Sequence, residues 1–204
     1  MSRELLEFDQ TFRMKGNSTL VGVDEAGRGP LAGPVVIAAV ILPAEFYDHR
    51  INDSKKLSAK MRLKMDDIIR KNCADFSLVV MSPGEIDRLN IRQATLRGMR
   101  NAVQQLNLRP DLVLVDGENV SGLPSPQQKI IKGDSKSISI AAASIIAKVF
   151  RDNLMEHYHF EFPQYAFDQH KGYGTEGHRN ALIKYGPSPI HRQSFLGNLE
   201  KWKP

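Results

Sequence analysis

Five short apolar runs rich in β-branched residues punctuate the chain near residues 20–24, 34–42, 76–81, 111–116 and 128–132, and each reads as a strand. The first two flank Gly27-Arg28-Gly29-Pro30, a turn that lets them pair as a hairpin-like unit. Elsewhere the apolar positions follow a helical spacing. Helices are expected near 58–72 with Ser58 as N-cap, near 84–107 opened by Ser82-Pro83-Gly84-Glu85, near 137–158, and near 175–185 from Thr175 to Gly186-Pro187. The third begins with residues that are apolar or small on every side from 137 to 147. Such a helix is buried, and its alanines permit close packing on a sheet. This order of elements predicts an α/β fold, a mixed five-stranded sheet covered by helices. Residues after about 160 are richer in Gly, Pro, His and aromatics, and are expected to form a small helical and loop extension of one domain spanning 1–204.

At 204 residues the chain can bury one substantial core. Its 28 Lys and Arg against 23 Asp and Glu give a net charge of +5, which tilts the expectation only slightly toward polyanionic partners. The single cysteine, Cys73, excludes an internal disulfide framework and a cysteine-rich zinc site, and fits a reducing compartment. The first ten residues are polar and lack a signal-peptide core, and no apolar run approaches the ~20 residues of a membrane span. The expected location is cytoplasmic, with no membrane partner.

Four acidic residues sit where a purely structural role would not put them. Asp24 and Glu25 end the first strand, Asp116 ends the run 111–115, and Asp134 follows the last strand just before the buried helix. An unpaired buried charge costs several kcal/mol or more, so a cation or exposure must compensate these groups. Strand carboxyl ends gather ligands in open α/β sheets, so three strands would bring these oxygens into one crevice. All-oxygen ligands favour Mg²⁺ or Mn²⁺ over Zn²⁺, and a pair of such ions about 3.5–4 Å apart serves phosphodiester hydrolysis. Plainer readings stay open for each residue: exposed turn acids at 24–25, an Asp-Gly turn at 116, helix-dipole support at 134, and simple acid pairing for Arg28. Asp152, four after Lys148, reads as a salt-bridge residue, and His157 and His159 point to different helix faces and make a poor metal pair. Lys55 and Lys56 lie in a loop before a helix, where phosphates find donors, or form a solvated loop. Tyr173, between Gly172 and Gly174 after His170-Lys171, suits an exposed ring against a sugar or base, or loop packing.

The series Asp24-Glu25-Ala26-Gly27-Arg28-Gly29-Pro30, Asp53-Ser54-Lys55-Lys56-Leu57, Val115-Asp116-Gly117, Gly133-Asp134-Ser135-Lys136-Ser137, the stretch 141–152 and His170-Lys171-Gly172-Tyr173-Gly174-Thr175 resembles bacterial ribonuclease HII from about residue 20 to 190. The resemblance implies a ribonuclease H-like fold and endonucleolytic cleavage of the RNA strand of RNA–DNA hybrids. It also implies cutting 5′ of single ribonucleotides in duplex DNA, leaving 3′-hydroxyl and 5′-phosphate ends. By position, Asp24, Glu25, Asp116 and Asp134 would be the metal-binding catalytic carboxylates. Gly27, Arg28, Gly29 and Tyr173 would read the 2′-hydroxyl and the following junction. The expected cofactor is Mg²⁺ or Mn²⁺, and the expected assembly a monomer. A resolvase- or transposase-type nuclease on the same fold would share the carboxylates but need no ribose. A non-catalytic nucleic-acid-binding module would have no reason to converge four acids. A phosphatase or nucleotidyltransferase is disfavoured by the lack of a Gly-rich phosphate cradle.

Overall fold

The computed structural model describes residues 2–197, and the statements below concern those residues. The end of the 195–202 segment, expected to pack on the core or meet a partner, lies outside them from 198 onward. The five strands are β1 (Leu20–Ala26), β2 (Val35–Ile41), β3 (Asp75–Met81), β4 (Leu112–Asp116) and β5 (Gln127–Ile130), in the spatial order β3-β2-β1-β4-β5. β1 and β2 are antiparallel, as the short turn between them predicts, and β3 extends that antiparallel side. β4 and β5 run parallel to β1, so the sheet is mixed and three strands end at the same edge.

Alternation along the two innermost strands assigns the layers. Val36, Ala38 and Val40 of β2 face one layer and Val35, Ile37, Ala39 and Ile41 the other, all buried. The first layer holds α2 (Ala59–Asn72) and the long α5 (Ile138–Glu161). The second holds α3 (Pro83–Leu89) and α4 (Ile91–Gln104). Ser58 and Ser82 cap α2 and α3 through side chains that accept from Met61 and Glu85 N–H groups. The single helix expected over 84–107 is two: Asn90, at φ 65°, turns the chain and caps α4 by accepting from Gln93 N–H. The extension after 160 contains α6 (Phe167–His170), α7 (Glu176–Tyr185) and α8 (Gln193–Leu196), clustered around Phe167, Tyr165, Leu182 and Met155.

One helix lies outside the expected set. α1 (Ser2–Arg13) buries Leu5 and rests Phe8 and Phe12 against the core, a 3–4 spacing masked by the polar residues around it. Its Asp9 is buried and accepts from the Ser139 N–H at 3.1 Å and the Ser139 hydroxyl at 2.6 Å, so α1 supplies an acceptor to the first turn of α5.

α5 lies across β1 at backbone distance. A Cβ built on Gly22 would stand 2.1 Å from the carbonyl carbon of Ser139 and 2.3 Å from the Ile140 nitrogen. Only glycine fits there without moving the helix. Gly22→Ala should therefore cost about 3 kcal/mol or more of stability by overpacking. Denaturant unfolding checks it: a midpoint unchanged from wild type would mean α5 can shift freely on the sheet.

Candidate active site

The parallel register of β1 and β4 delivers the first two carboxylates side by side. Val23 pairs with Val115, and one residue further along each strand come Asp24 and Asp116. Asp24 points to the α5 side, where it is 4 % exposed, while strand alternation turns Glu25 toward the opposite layer at the rim. Asp116 takes a 2.5 Å hydrogen bond from the Gly133 N–H. That bond ties the end of β4 to the 3-10 turn Gly133–Ser135, which carries the buried Asp134. A cleft of about 220 Å³ opens over this edge, walled by Asp24, Glu25, Asp116, the loop 27–29, Lys55 and Tyr173. Ser54, Ser144 and Lys148 complete its wall, with the Ser54 and Ser144 hydroxyls 3.0 Å apart.

Burial and mutual repulsion both oppose ionisation of these acids. Asp24 is held well above the usual carboxylate range by burial, then by the charges of Glu25 and Asp116, against hydrogen bonding from Ser144. Glu25 is raised by burial to about 7, with Arg28 pulling in the other direction. Burial raises Asp116 as well, the Gly133 N–H opposing it. Two cations answer the cluster: Arg28 stands 3.5 Å from Glu25, and Lys55 donates to Asp134 at 3.1 Å. Burial disfavours the Lys55 ammonium, but Asp134, with Asp53 and Asp24, outweighs it and raises that group. Among the described residues no three His, Cys, Asp or Glu side chains already converge as a metal cage. The donor set nevertheless fits a hard divalent ion, being all oxygen, crowded and short of positive charge.

The loop after β1 forms the second wall. Gly27 has φ +100°, and a Cβ there would strike the Arg151 guanidinium at 2.0 Å. Tyr173, 46 % exposed, lies beside Gly29. Its segment is anchored by a chain of buried neutral histidines whose partners fix their tautomers. The Ser188 N–H donates to His191 Nδ1, so His191 Nε2–H donates to His178 Nε2, and His178 Nδ1–H donates to the Tyr173 carbonyl, each at 2.9 Å. Burial lowers both His178 and His191 to about 4, keeping the chain neutral.

Comparison with known proteins decides the assignment. The family model described as Ribonuclease HII matches residues 21–197. The chain belongs to the ribonuclease HII family. Ribonuclease HII of Geotalea daltonii is 52 % identical over 199 residues, covering 98 % of this chain and 92 % of the relative. Ribonuclease HII of Syntrophotalea carbinolica is 50 % identical over 195 residues, covering 96 % and 93 %. The crystal structure of ribonuclease H2 from Pyrococcus horikoshii superposes with a TM-score of 0.77 at 26 % identity, covering 90 % of this chain and 96 % of that one. The chain is thus a divalent-metal-dependent endoribonuclease acting on RNA–DNA hybrids. The resolvase-type and non-catalytic readings fall with that assignment. No described helix is long and apolar enough to cross a membrane.

Most sequence-derived site residues meet at one edge. Asp24, Glu25, Asp116, Gly27, Arg28, Gly29, Lys55 and Tyr173 line the cleft, and Asp134 joins through Lys55. Lys56 does not line it and is exposed at the end of the 3-10 turn Ser54–Lys56. Asp152 bonds Lys148 at 2.7 Å, the salt bridge that its spacing predicts. The sequence alone did not mark Ser144 and Lys148 as lining residues; the available signal was a second buried hydroxyl, after Ser139, in the otherwise apolar start of α5.

The raised carboxylates set a pH signature. A carboxyl whose folded value lies above its unfolded one contributes stability below about pH 4.5, and that contribution is lost as pH rises through about 7 for Glu25. Asp24 and Asp116 share the direction. Divalent ions require the ionised acids, so the rise in Tm on adding millimolar Mg²⁺ or Mn²⁺ should grow from near zero at about pH 4.5 to several degrees above about pH 7. Histidine titration enters both arms and cancels. Calorimetry across this range that finds a pH-independent increment would exclude the cluster as the metal site.

Proposed function

We propose that Asp24, Glu25, Asp116 and Asp134 hold Mg²⁺ or Mn²⁺ and that the cleft cuts the RNA strand of hybrids and the 5′ side of single ribonucleotides in duplex DNA. The observation that carries this reading is the carboxylate edge beside a loop whose backbone borders the same cleft. A divalent ion bound there supplies the charge that makes water nucleophilic near neutral pH and steadies the leaving oxygen. The chain's own groups do the rest. Arg28 and Lys55 neutralise Glu25 and Asp134 and offer donors to the phosphate, with Lys56 reaching the flanking backbone from the surface. Gly27, Arg28 and Gly29 present backbone to the 2′-hydroxyl, the group that separates RNA from DNA at one position. Tyr173 lays its ring on the sugar or base beyond it and directs its hydroxyl to the same ribose. The products carry 3′-hydroxyl and 5′-phosphate ends. The whole chain, 1–204, acts as one ribonuclease H-like domain with 160–204 its extension, and works as a monomer.

The deciding assay uses a labelled DNA duplex with one ribonucleotide, in Mg²⁺ or Mn²⁺, beside an all-DNA duplex. One cut 5′ of the ribonucleotide is expected, and Asp116→Asn should lower kcat by at least about 100-fold. Equal cutting of the all-DNA duplex would remove ribose recognition from this site.

Tyr173→Phe separates the ring from its hydroxyl. Cleavage at the single ribonucleotide should fall about tenfold while binding stays within about twofold. Wild-type rates in this variant would leave the tyrosine only a stacking role.

A further inference from the structure

The Gly27-Arg28-Gly29 loop is gripped from behind by Arg192. This guanidinium is fully buried and none of its hydrogen-bond partners is a carboxylate. Its Nη2 donates to the Gly27 carbonyl at 2.6 Å, Nη1 to the Arg28 carbonyl at 2.9 Å, and Nε to the Gly33 carbonyl at 2.9 Å. Burial lowers Arg192 to about 9, which still leaves it charged at neutral pH. The surrounding chain is fixed in turn. The Arg192 N–H donates to the Leu31 carbonyl, and Asp87 accepts from the Gln193 and Ser194 N–H groups.

The direction of the two gripped carbonyls determines what faces the substrate. No peptide here is cis, and in a trans peptide the C=O and the following N–H point in opposite directions. Drawing the Gly27 and Arg28 carbonyls onto Arg192 therefore turns the Arg28 and Gly29 N–H groups the other way, and these residues wall the cleft. Among the described residues neither N–H donates to a protein acceptor. Two successive N–H groups aimed together form a concavity for an oxygen carrying negative charge or a lone pair. A lysine offers one ammonium on a flexible stem and lacks the planar fork that spans three carbonyls.

We infer that Arg192 is a positioning residue for ribose discrimination: it sets the Gly27 and Arg28 peptide planes so that the Arg28 and Gly29 N–H groups meet the substrate's 2′-hydroxyl and adjoining phosphate. This rests on the proposed role of residues 27–29 in reading the ribonucleotide. Arg151 provides the comparator. It is equally buried and packs directly beneath Gly27, but it donates only to the carbonyls of Pro34, Ala32 and Lys171 and so holds neither of the two peptide planes that Arg192 sets.

The test is binding of wild type, Arg192→Lys and Arg151→Lys to a duplex with one ribonucleotide and to the all-DNA duplex, with Ca²⁺ replacing the catalytic ion. Wild type should favour the ribonucleotide by about tenfold or more. Arg192→Lys should bring that ratio close to one, with affinity for the all-DNA duplex within about twofold. Arg151→Lys should lose comparable thermal stability yet keep the ratio, which a merely structural role for Arg192 would not allow. An undiminished ratio in Arg192→Lys overturns the inference. No preference in wild type instead overturns the reading of residues 27–29 beneath it. Should Arg192→Lys fail to fold, amide spectra of ¹⁵N-labelled wild type decide. The Arg28 and Gly29 resonances must move more with the ribonucleotide duplex than with the all-DNA one, and equal movement overturns the assignment of this N–H pair.

Discussion

Everything at the cleft depends on α5 lying directly on β1. Gly22 removes the side chain that would hold the two backbones apart, and the small residues Ala141, Ala142 and Ala143 keep the helix close. From Ser139 to Met155 the helix then acts as a ruler about 24 Å long. Ser139 meets Asp9 of α1, Ser144 comes to Asp24, Lys148 walls the cleft, Arg151 takes the carbonyls of the loop after β1, and Met155 enters the cluster of the extension. One straight element thereby fixes the distance between the acids and the residues that border them.

The same edge concentrates two opposed electrostatic demands. Acids that share a buried rim repel one another, and the cleft limits that cost with Arg28 on Glu25 and Lys55 on Asp134. Both cations are partly or largely exposed, so neither is locked into the interior. Arg151 and Arg192 follow the reverse rule. They are buried with carbonyls alone as hydrogen-bond partners, and so place fixed positive charge beneath the loop without cancelling it. Mobile charge lies on the acids and fixed charge beneath the loop, an arrangement suited to a polyanion and a divalent ion meeting in one cleft.

The strands and the acids were legible because each carries its own local signal: β-branched runs, and carboxylates placed where a strand should end. Register then did the assembly, since Asp24 and Asp116 follow paired valines. α1 was not legible as a run because its apolar positions are few and separated by charges, although Leu5, Phe8 and Phe12 share a face. The break at Asn90 was hidden by continuous helical periodicity on both sides of one left-handed residue. The clamp arginines and the histidine chain leave no local trace. Arg151, His178, His191 and Arg192 look like ordinary polar residues until distant carbonyls and rings surround them.

The closure between Arg192 and Gly27 joins residues 165 positions apart in the chain. Contacts of that separation form late, because loop-closure entropy must be overcome before they contribute. Arg151 of α5 already holds the Pro34 and Ala32 carbonyls of the loop, whereas the Gly27 and Arg28 carbonyls are held only once the segment carrying Arg192 docks. The rim beside the acids is thus completed by a segment far along the chain, while Asp24 and Asp116 are placed by strand register alone.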